Sequence, residues 1–193
     1  LTQLDLSANE MLRTLYFQNN MIQYLNLKNL TNLSTINCGG NGMSACDLDA
    51  FFAGLPERSG DLTGGTTQDV SLRLNYGEEA RPNDAENSDT SIATSRNWTV
   101  NVTGNASGCP NAIIELVAAE GGTVVVTDEQ GNVIKSGETV KKGTKVTLTA
   151  KPDFGYAFSG DMMVNGEMEF GVKTLTITKF TQIEPIFEAD PTG

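Results

Sequence analysis

Leu12-Arg13-Thr14-Leu15-Tyr16-Phe17-Gln18-Asn19-Asn20-Met21-Ile22 and Leu33-Ser34-Thr35-Ile36-Asn37-Cys38-Gly39-Gly40-Asn41-Gly42-Met43 decide the reading of this chain. Each stretch is apolar at its first, fourth, sixth and eleventh positions and has Asn at the ninth, and the second follows the first after 21 residues. Working outward, Leu1, Leu12, Ile22, Leu33 and Met43 recur with steps of 11, 10, 11 and 10 residues. Two further ladders keep the same steps: Leu4, Leu15, Leu25, Ile36, Cys46 and Leu6, Phe17, Leu27, Cys38, Leu48. Three apolar ladders in one register predict a coiled chain that stacks its apolar positions along one axis. The complete halves predict short parallel strands with alternate residues inward. Asn20 and Asn41 are expected to turn inward and bond loop backbone that would otherwise be unpaired. The intervening half, Leu25-x-Leu27-x-x-Leu30, has Leu where Asn would stand.

Over roughly residues 1–105 these units resemble leucine-rich-repeat proteins of the Bacteroidetes surface type (internalin-like). The resemblance implies an α/β leucine-rich-repeat solenoid, short, with parallel strands and helical units toward its C-terminal end. Leu48 to Pro56 has helical spacing, with Asp49 available as a cap and Gly54-x-Pro56 as a stop. Val70-x-Leu72-x-x-Asn75 reads as another strand half, and Asp89 to Trp98 followed by Thr99 to Val102 as a last helix and strand. Terminal units of a repeat array must close an open apolar end, which assigns Trp98 as the cap.

Residues 106–112 are small, polar and punctuated by Gly and Pro, and are read as a linker between a first domain, 1–105, and a second, 113–193. Beyond it the pattern changes to short alternating runs at Thr123 to Thr127, Val133 to Lys135, Lys145 to Ala150 and Thr174 to Thr178. Turns are expected at Asp128 to Asn132, with Gly131 supplying a positive φ, and at Val164 to Glu167. The stretch Val140 to Pro152, Gly155-Tyr156-x-Phe158 and the ending Thr181 to Glu188 resemble the divergent form of the internalin B-repeat. That resemblance covers about residues 120–189 and implies a small all-β or β-grasp-like spacer or adhesion module without catalytic activity. It departs from the family at Met162 and Met163, where many such modules carry a Trp. Phe154, Tyr156 and Phe158 are expected in the core of this module, with a sugar-stacking strip as the alternative.

The formal charge of −11 and the lack of any Lys/Arg cluster argue against nucleic acid and anionic lipid as partners. No apolar run is long enough to cross a bilayer, so no membrane insertion by this segment is expected. The chain opens on Leu1 already inside a repeat, from which earlier repeats and a signal or lipoprotein anchor preceding it are expected. Cys38, Cys46 and Cys109 fit neither a zinc spacing nor a redox pair, and Cys38 and Cys46 fall on ladder positions where a buried free thiol is expected. The sequence contains no His, which removes the commonest general base and metal ligand and every Ser-His-Asp or Cys-His nucleophile. No catalytic residue, no cofactor and no metal is expected. Asp47, Asp49 and Asp69 offer oxygens that could come together around calcium near the helical segment, with Asp49 more simply a cap. Asn97-x-Thr99, Asn101-x-Thr103 and Asn105-x-Ser107 match the N-glycosylation triplet but are read as ordinary polar positions.

Residues alternating with the inward ladder set the candidate binding face: Thr14, Tyr16, Gln18, Thr35, Asn37, Ser71 and Arg73. Tyr and Arg are favoured interface anchors, so Tyr16 and Arg73 lead the set; the alternative is that all seven are ordinary solvated strand residues. The expected function is non-catalytic recognition or adhesion at a bacterial cell surface, with a protein or glycan ligand on this face and the β module as spacer. A purely structural stalk and a fragment of a glycan-acting hydrolase are the rivals.

Overall fold

The computed structural model describes residues 1–25, 27–58, 71–75 and 79–190, with Ser71 described through its backbone alone. Asp69 and Val70, named in the sequence reading, lie outside the described residues. The chain divides into two compact units, Leu1–Cys109 and Pro110–Gly193.

The first unit is built on a parallel sheet of β1 (Thr14–Tyr16), β2 (Thr35–Asn37), β3 (Ser71–Arg73) and β4 (Thr99–Val100), in that order. Its helices are α1 (Ala45–Ala53) and α2 (Ser91–Ser95), with a 3-10 turn at Ala85–Asn87. The expected class, an α/β leucine-rich-repeat solenoid, is therefore corrected: among the described residues the chain is mostly β, in three sheets, and the two α-helices have nine and five residues. The reason lies in the half-repeats. Between β1 and β2 the Leu-rich half folds as successive turns, with Leu30 N–H donating to Leu27 O and Leu33 N–H to Leu30 O.

The ladders pack as apolar stacks must. Leu15, Phe17, Leu25, Leu27, Ile36, Cys38 and Leu48 are all buried, each large side chain contributing about 1.5–3 kcal/mol by leaving water. Helix α1 starts at Ala45, with Ser44 as its N-cap, three residues before Leu48, where the helical spacing begins. Ser44 Oγ accepts from Asp47 N–H at 3.2 Å, and Asp47 Oδ2 accepts from Ser44 N–H at 2.9 Å, a capping box that satisfies two otherwise orphaned donors. Asp49 is thus not the cap. It is buried inside α1 and accepts from Asp89 N–H at 2.6 Å. Phe51 and Phe52 are buried, the Phe51 ring standing edge-on to Phe17 at 6.1 Å.

An asparagine ladder ties the coils together. Asn41 Oδ1 accepts from Ile22 N–H, Asn83 Oδ1 from Met43 N–H and Asn101 Oδ1 from Leu74 N–H, at 3.0, 2.9 and 2.8 Å. Asn20 Oδ1 takes the equivalent bond from the Leu1 amino group at 2.8 Å. Each carboxamide also donates to loop carbonyls; Asn41 Nδ2 reaches Phe17 O at 3.1 Å and Cys38 O at 2.7 Å. Asn75, which the sequence pattern offers for the third rung, instead clasps Asn83 through its backbone N–H and C=O. Trp98 is buried with its Nε1–H donating to Pro56 O at 2.9 Å, so the ring closes apolar space while its polar edge is satisfied.

Cys46 and Cys109 form a disulfide 63 residues apart in sequence. This corrects the expectation of a buried free thiol at Cys46: α1 begins at Ala45, which places Cys46 on its first turn, half-buried, within reach of the segment that follows β4. Cys38 is the free cysteine and is fully buried.

The second unit is a small all-β domain of nine strands: β5 (Asn111–Leu116), β6 (Gly122–Thr127), β7 (Val133–Ile134), β8 (Thr139–Lys141), β9 (Thr144–Pro152), β10 (Tyr156–Val164), β11 (Glu167–Phe170), β12 (Thr174–Ile177) and β13 (Thr181–Ala189). They form a five-stranded sheet, β11-β10-β13-β5-β8, and a four-stranded one, β12-β9-β6-β7. Ala112, Ile114, Met162 and Ile183 from the first sheet meet Val124, Val126, Val146, Leu148 and Ile177 from the second in one core. The β10–β11 turn is made by Asn165 and Gly166 at φ 52° and 80°, the positive-φ pair that a two-residue hairpin favours. Met162 enters the core, whereas Met163 is half-buried. Phe154 corrects the expected aromatic core: it is 92% exposed at the β9–β10 turn, because Asp153 and Gly155 reverse the chain there and leave it beyond the end of both strands. Phe158 packs against Phe187 at 5.9 Å.

Candidate functional site

The parallel pairing of β1 to β4 sets side chains in rows across the sheet. Leu15, Ile36, Leu72 and Val100 are in register, and the first three are buried. Because a strand alternates its faces, the flanking positions form two rows on the opposite face. One holds Thr14, Thr35, Ser71 and Thr99; the other holds Tyr16, Asn37 and Arg73. Adjacent strands lie about 4.8 Å apart, so the second row spans about 10 Å from Tyr16 to Arg73.

Six of the seven residues named from sequence are therefore brought together at in-register strand positions. Thr14 and Arg73 are exposed, Tyr16 is 63% exposed, and Thr35 and Asn37 are half-buried; the Ser71 side chain lies outside the described residues. Gln18 stands apart. It follows β1 rather than lying in it, and its Oε1 is buried without a hydrogen-bond partner among the described residues. Thr99 was missed, because Thr99 to Val102 reads as one strand with no indication of which residue aligns with Ser71; the register supplies that. Asn37 Oδ1 accepts from Gly39 N–H at 3.2 Å, which leaves its Nδ2 to donate elsewhere. Arg73 is the one charged residue among the in-register positions of the two rows.

The other candidates are placed elsewhere. Asp47 is taken up by the helix cap and Asp49 by the backbone of Asp89. Burial pushes the Cys38 thiol up to about 12, with the negative charge of Glu79 adding to the shift, so it is protonated at neutral pH and inert as a nucleophile. Of the glycosylation triplets, Asn97 donates to Arg58 O and Asn101 is a rung of the asparagine ladder. A cavity of about 780 Å³ opens among the ladder residues Leu4, Leu6 and Leu25, with Asp5, Glu10 and Tyr24 also in its lining.

In the second unit, the strand pattern, the Asn165-Gly166 hairpin and the two-sheet core are the frame in which a comparison with known families falls. Residues 114–182 match the family model of the divergent InlB B-repeat domain. The match begins in β5 and ends in β13, so this B-repeat-like domain takes in both sheets. It is consistent with a non-catalytic surface protein. No curated protein and no solved structure is significantly similar to the chain. Among the described residues, no helix is long and apolar enough to cross a membrane.

Proposed function

We propose that the chain is a non-catalytic recognition protein of a bacterial cell surface, in which the exposed face of the β1–β4 sheet contacts a protein or glycan ligand and the B-repeat-like domain acts as a spacer. The observation that carries this reading is the in-register row Tyr16, Asn37 and Arg73 beside a row of hydroxyl residues. Tyr and Arg are among the residue types that most often anchor interfaces, and strands in register hold their backbones at fixed spacing, which lowers the ordering cost on binding. Two features support a surface location. Disulfides persist in oxidising compartments and are rare in the reducing cytosol, and Cys46–Cys109 is one; the B-repeat-like match points the same way. A non-catalytic role fits a sequence without His whose free thiol is buried and protonated.

An array of glycans and extracellular proteins, probed with the full chain and with the Tyr16→Ala/Arg73→Ala variant, tests the proposal. A selective ligand that the double variant loses, at unchanged melting temperature, is the expected result. Surface changes of this kind alter stability by about 0.5 kcal/mol or less. A selective ligand retained by the double variant would refute the assigned face, and the lack of any selective ligand would make the chain a structural stalk.

A further inference from the structure

We infer that the outer edge of β11 is a docking site for an extended segment of another protein, a strand in which Lys or Arg alternates with apolar residues. Among the described residues β11 is the end strand of the five-stranded sheet, and β10 is its neighbour. The two strands are joined by the two-residue turn Asn165-Gly166, with Val164 opposite Glu167. In such a hairpin the residues that flank the turn exchange hydrogen bonds and the next pair does not. The register therefore directs the backbone N–H and C=O of Met168 and Phe170 away from β10. A sheet edge of this kind takes an added strand through main-chain bonds, and alternate side chains supply the selectivity. The inference is independent of the reading of the β1–β4 face, whose residues belong to the first unit.

The side chains of β11 define the strand that fits. Residues opposite one another share a face of the sheet. Met168 lies opposite Met163 and Phe170 opposite Asp161, whereas Glu169 lies opposite the core residue Met162 and Glu167 opposite Val164. One face of the edge is thus Met168 and Phe170, 45% and 79% exposed, and the other is Glu167 and Glu169, both exposed. Charged edges commonly serve to prevent pairing, but a repelling edge gains nothing from a Phe left in water. A strand added beside β11 sets apolar side chains against Met168 and Phe170 and cations against Glu167 and Glu169, and opposite charges across strands are favourable. The net charge of −11 draws a cationic segment toward the chain. A second copy of this chain fits the edge poorly. Antiparallel self-pairing about Met168 places Glu167 of one copy opposite Glu169 of the other, twice, and like charges directly opposite are destabilising. Gly171, at φ 63°, follows the last residue of the strand, so a shifted register pairs fewer residues.

The test is titration of the isotope-labelled full chain with the peptide acetyl-Thr-Lys-Val-Lys-Val-Lys-Thr-amide, read by NMR, beside the same peptide with Glu in place of each Lys. The Lys peptide should bind and slow hydrogen exchange at the Met168 and Phe170 amides, and the Glu peptide should leave them unchanged. Met168→Pro removes an outward donor without removing a ladder bond. It should weaken binding about two- to tenfold relative to Met168→Ala, the worth of one main-chain hydrogen bond. Glu167→Gln/Glu169→Gln should also weaken binding and flatten its dependence on ionic strength, whereas Tyr16→Ala/Arg73→Ala should bind as the wild type does. If Met168→Pro fails to fold, the charge variant and the amide protection decide. Failure of the Lys peptide to bind, equal binding of the two peptides, or binding that leaves both amides unprotected would overturn the inference. A dimer of the chain in sedimentation that Met168→Pro abolishes would overturn it in favour of a second copy. Loss of the Lys peptide in Tyr16→Ala/Arg73→Ala would overturn it in favour of the β1–β4 face.

Discussion

Replacing Asn41 by Ala should destabilise the first unit by about 2–6 kcal/mol. Asn41 is 2% exposed and makes three bonds of good length, from Ile22 N–H at 3.0 Å and to Phe17 O and Cys38 O at 3.1 and 2.7 Å. The two carbonyls keep a partner when Asn41 is gone, because Asn20 Nδ2 also reaches Phe17 O and Asn83 Nδ2 also reaches Cys38 O. Those two losses cost about 0.5–1.5 kcal/mol each, whereas the Ile22 N–H is left buried and unpaired at about 1–3 kcal/mol. The sum is a large share of the roughly 5–15 kcal/mol that holds a typical domain. Asn20 is less buried and its acceptor bond is to the chain's own amino group, so Asn20→Ala should cost less than Asn41→Ala. Urea unfolding followed by tryptophan fluorescence reads the first unit directly, since the single Trp of the sequence, Trp98, is buried there. A loss below about 0.5 kcal/mol for Asn41→Ala, the size of an ordinary surface change, would refute the ladder as a source of stability.

Removing the disulfide by Cys46→Ser/Cys109→Ser should cost about 4 kcal/mol, the chain-entropy value for a closed loop of 63 residues; a urea midpoint unchanged by the double substitution would contradict this. Cys38, whose thiol is pushed up to about 12 from 9.0 by burial, should resist alkylation in the native state at pH 8 and react fully in denaturant, and rapid native labelling would show that it is accessible. The same shift has a sign: folding favours the neutral thiol, so the stability it supports is complete below pH 9 and is lost as the pH rises through about 12. The fall should be shallower in Cys38→Ala, and parallel alkaline curves for the two proteins would exclude Cys38 as its source. In the B-repeat-like domain, Phe154→Ser should change stability by about 0.5 kcal/mol or less, whereas Ile183→Ala, in the core, should cost about 2–5 kcal/mol; similar losses from both would mean that Phe154 is packed.

The buried ladders were legible because period and chemistry agree: an apolar residue that recurs in register has to stack, and Leu15, Ile36 and Leu72 do. The α/β class was not legible, because Leu25-x-Leu27-x-x-Leu30 satisfies an apolar ladder equally well as turns or as a helix, and only the backbone distance to be covered decides. Helix α1 was placed late because the Ser44-x-x-Asp47 box precedes the apolar run that drew attention. The third and fourth rungs of the asparagine ladder were hidden for a different reason. Asn83 keeps the period, standing 42 residues after Asn41, but it follows Arg73 by ten residues where Asn20 and Asn41 follow Tyr16 and Asn37 by four, and Asn101 comes only 18 residues after Asn83, so neither is marked by the local strand pattern. The disulfide is likewise a long-range fact, since an odd number of cysteines admits three pairings and only the meeting of α1 with the segment after β4 selects Cys46–Cys109. For the site, strand alternation named six of the in-register positions, whereas Thr99 needed the register of β4 against β3. The exposure of Phe154 depended on where β9 ends, which an aromatic-rich run does not reveal.

Hydrogen exchange of the full chain, with and without the ligand returned by the array, tests the central claim most directly. Recognition through the sheet face predicts slower exchange in peptides carrying Thr14–Tyr16, Thr35–Asn37 and Ser71–Arg73, with residues 110–190 unchanged. Protection confined to residues 110–190 would reverse the roles assigned to the two units and contradict the proposal.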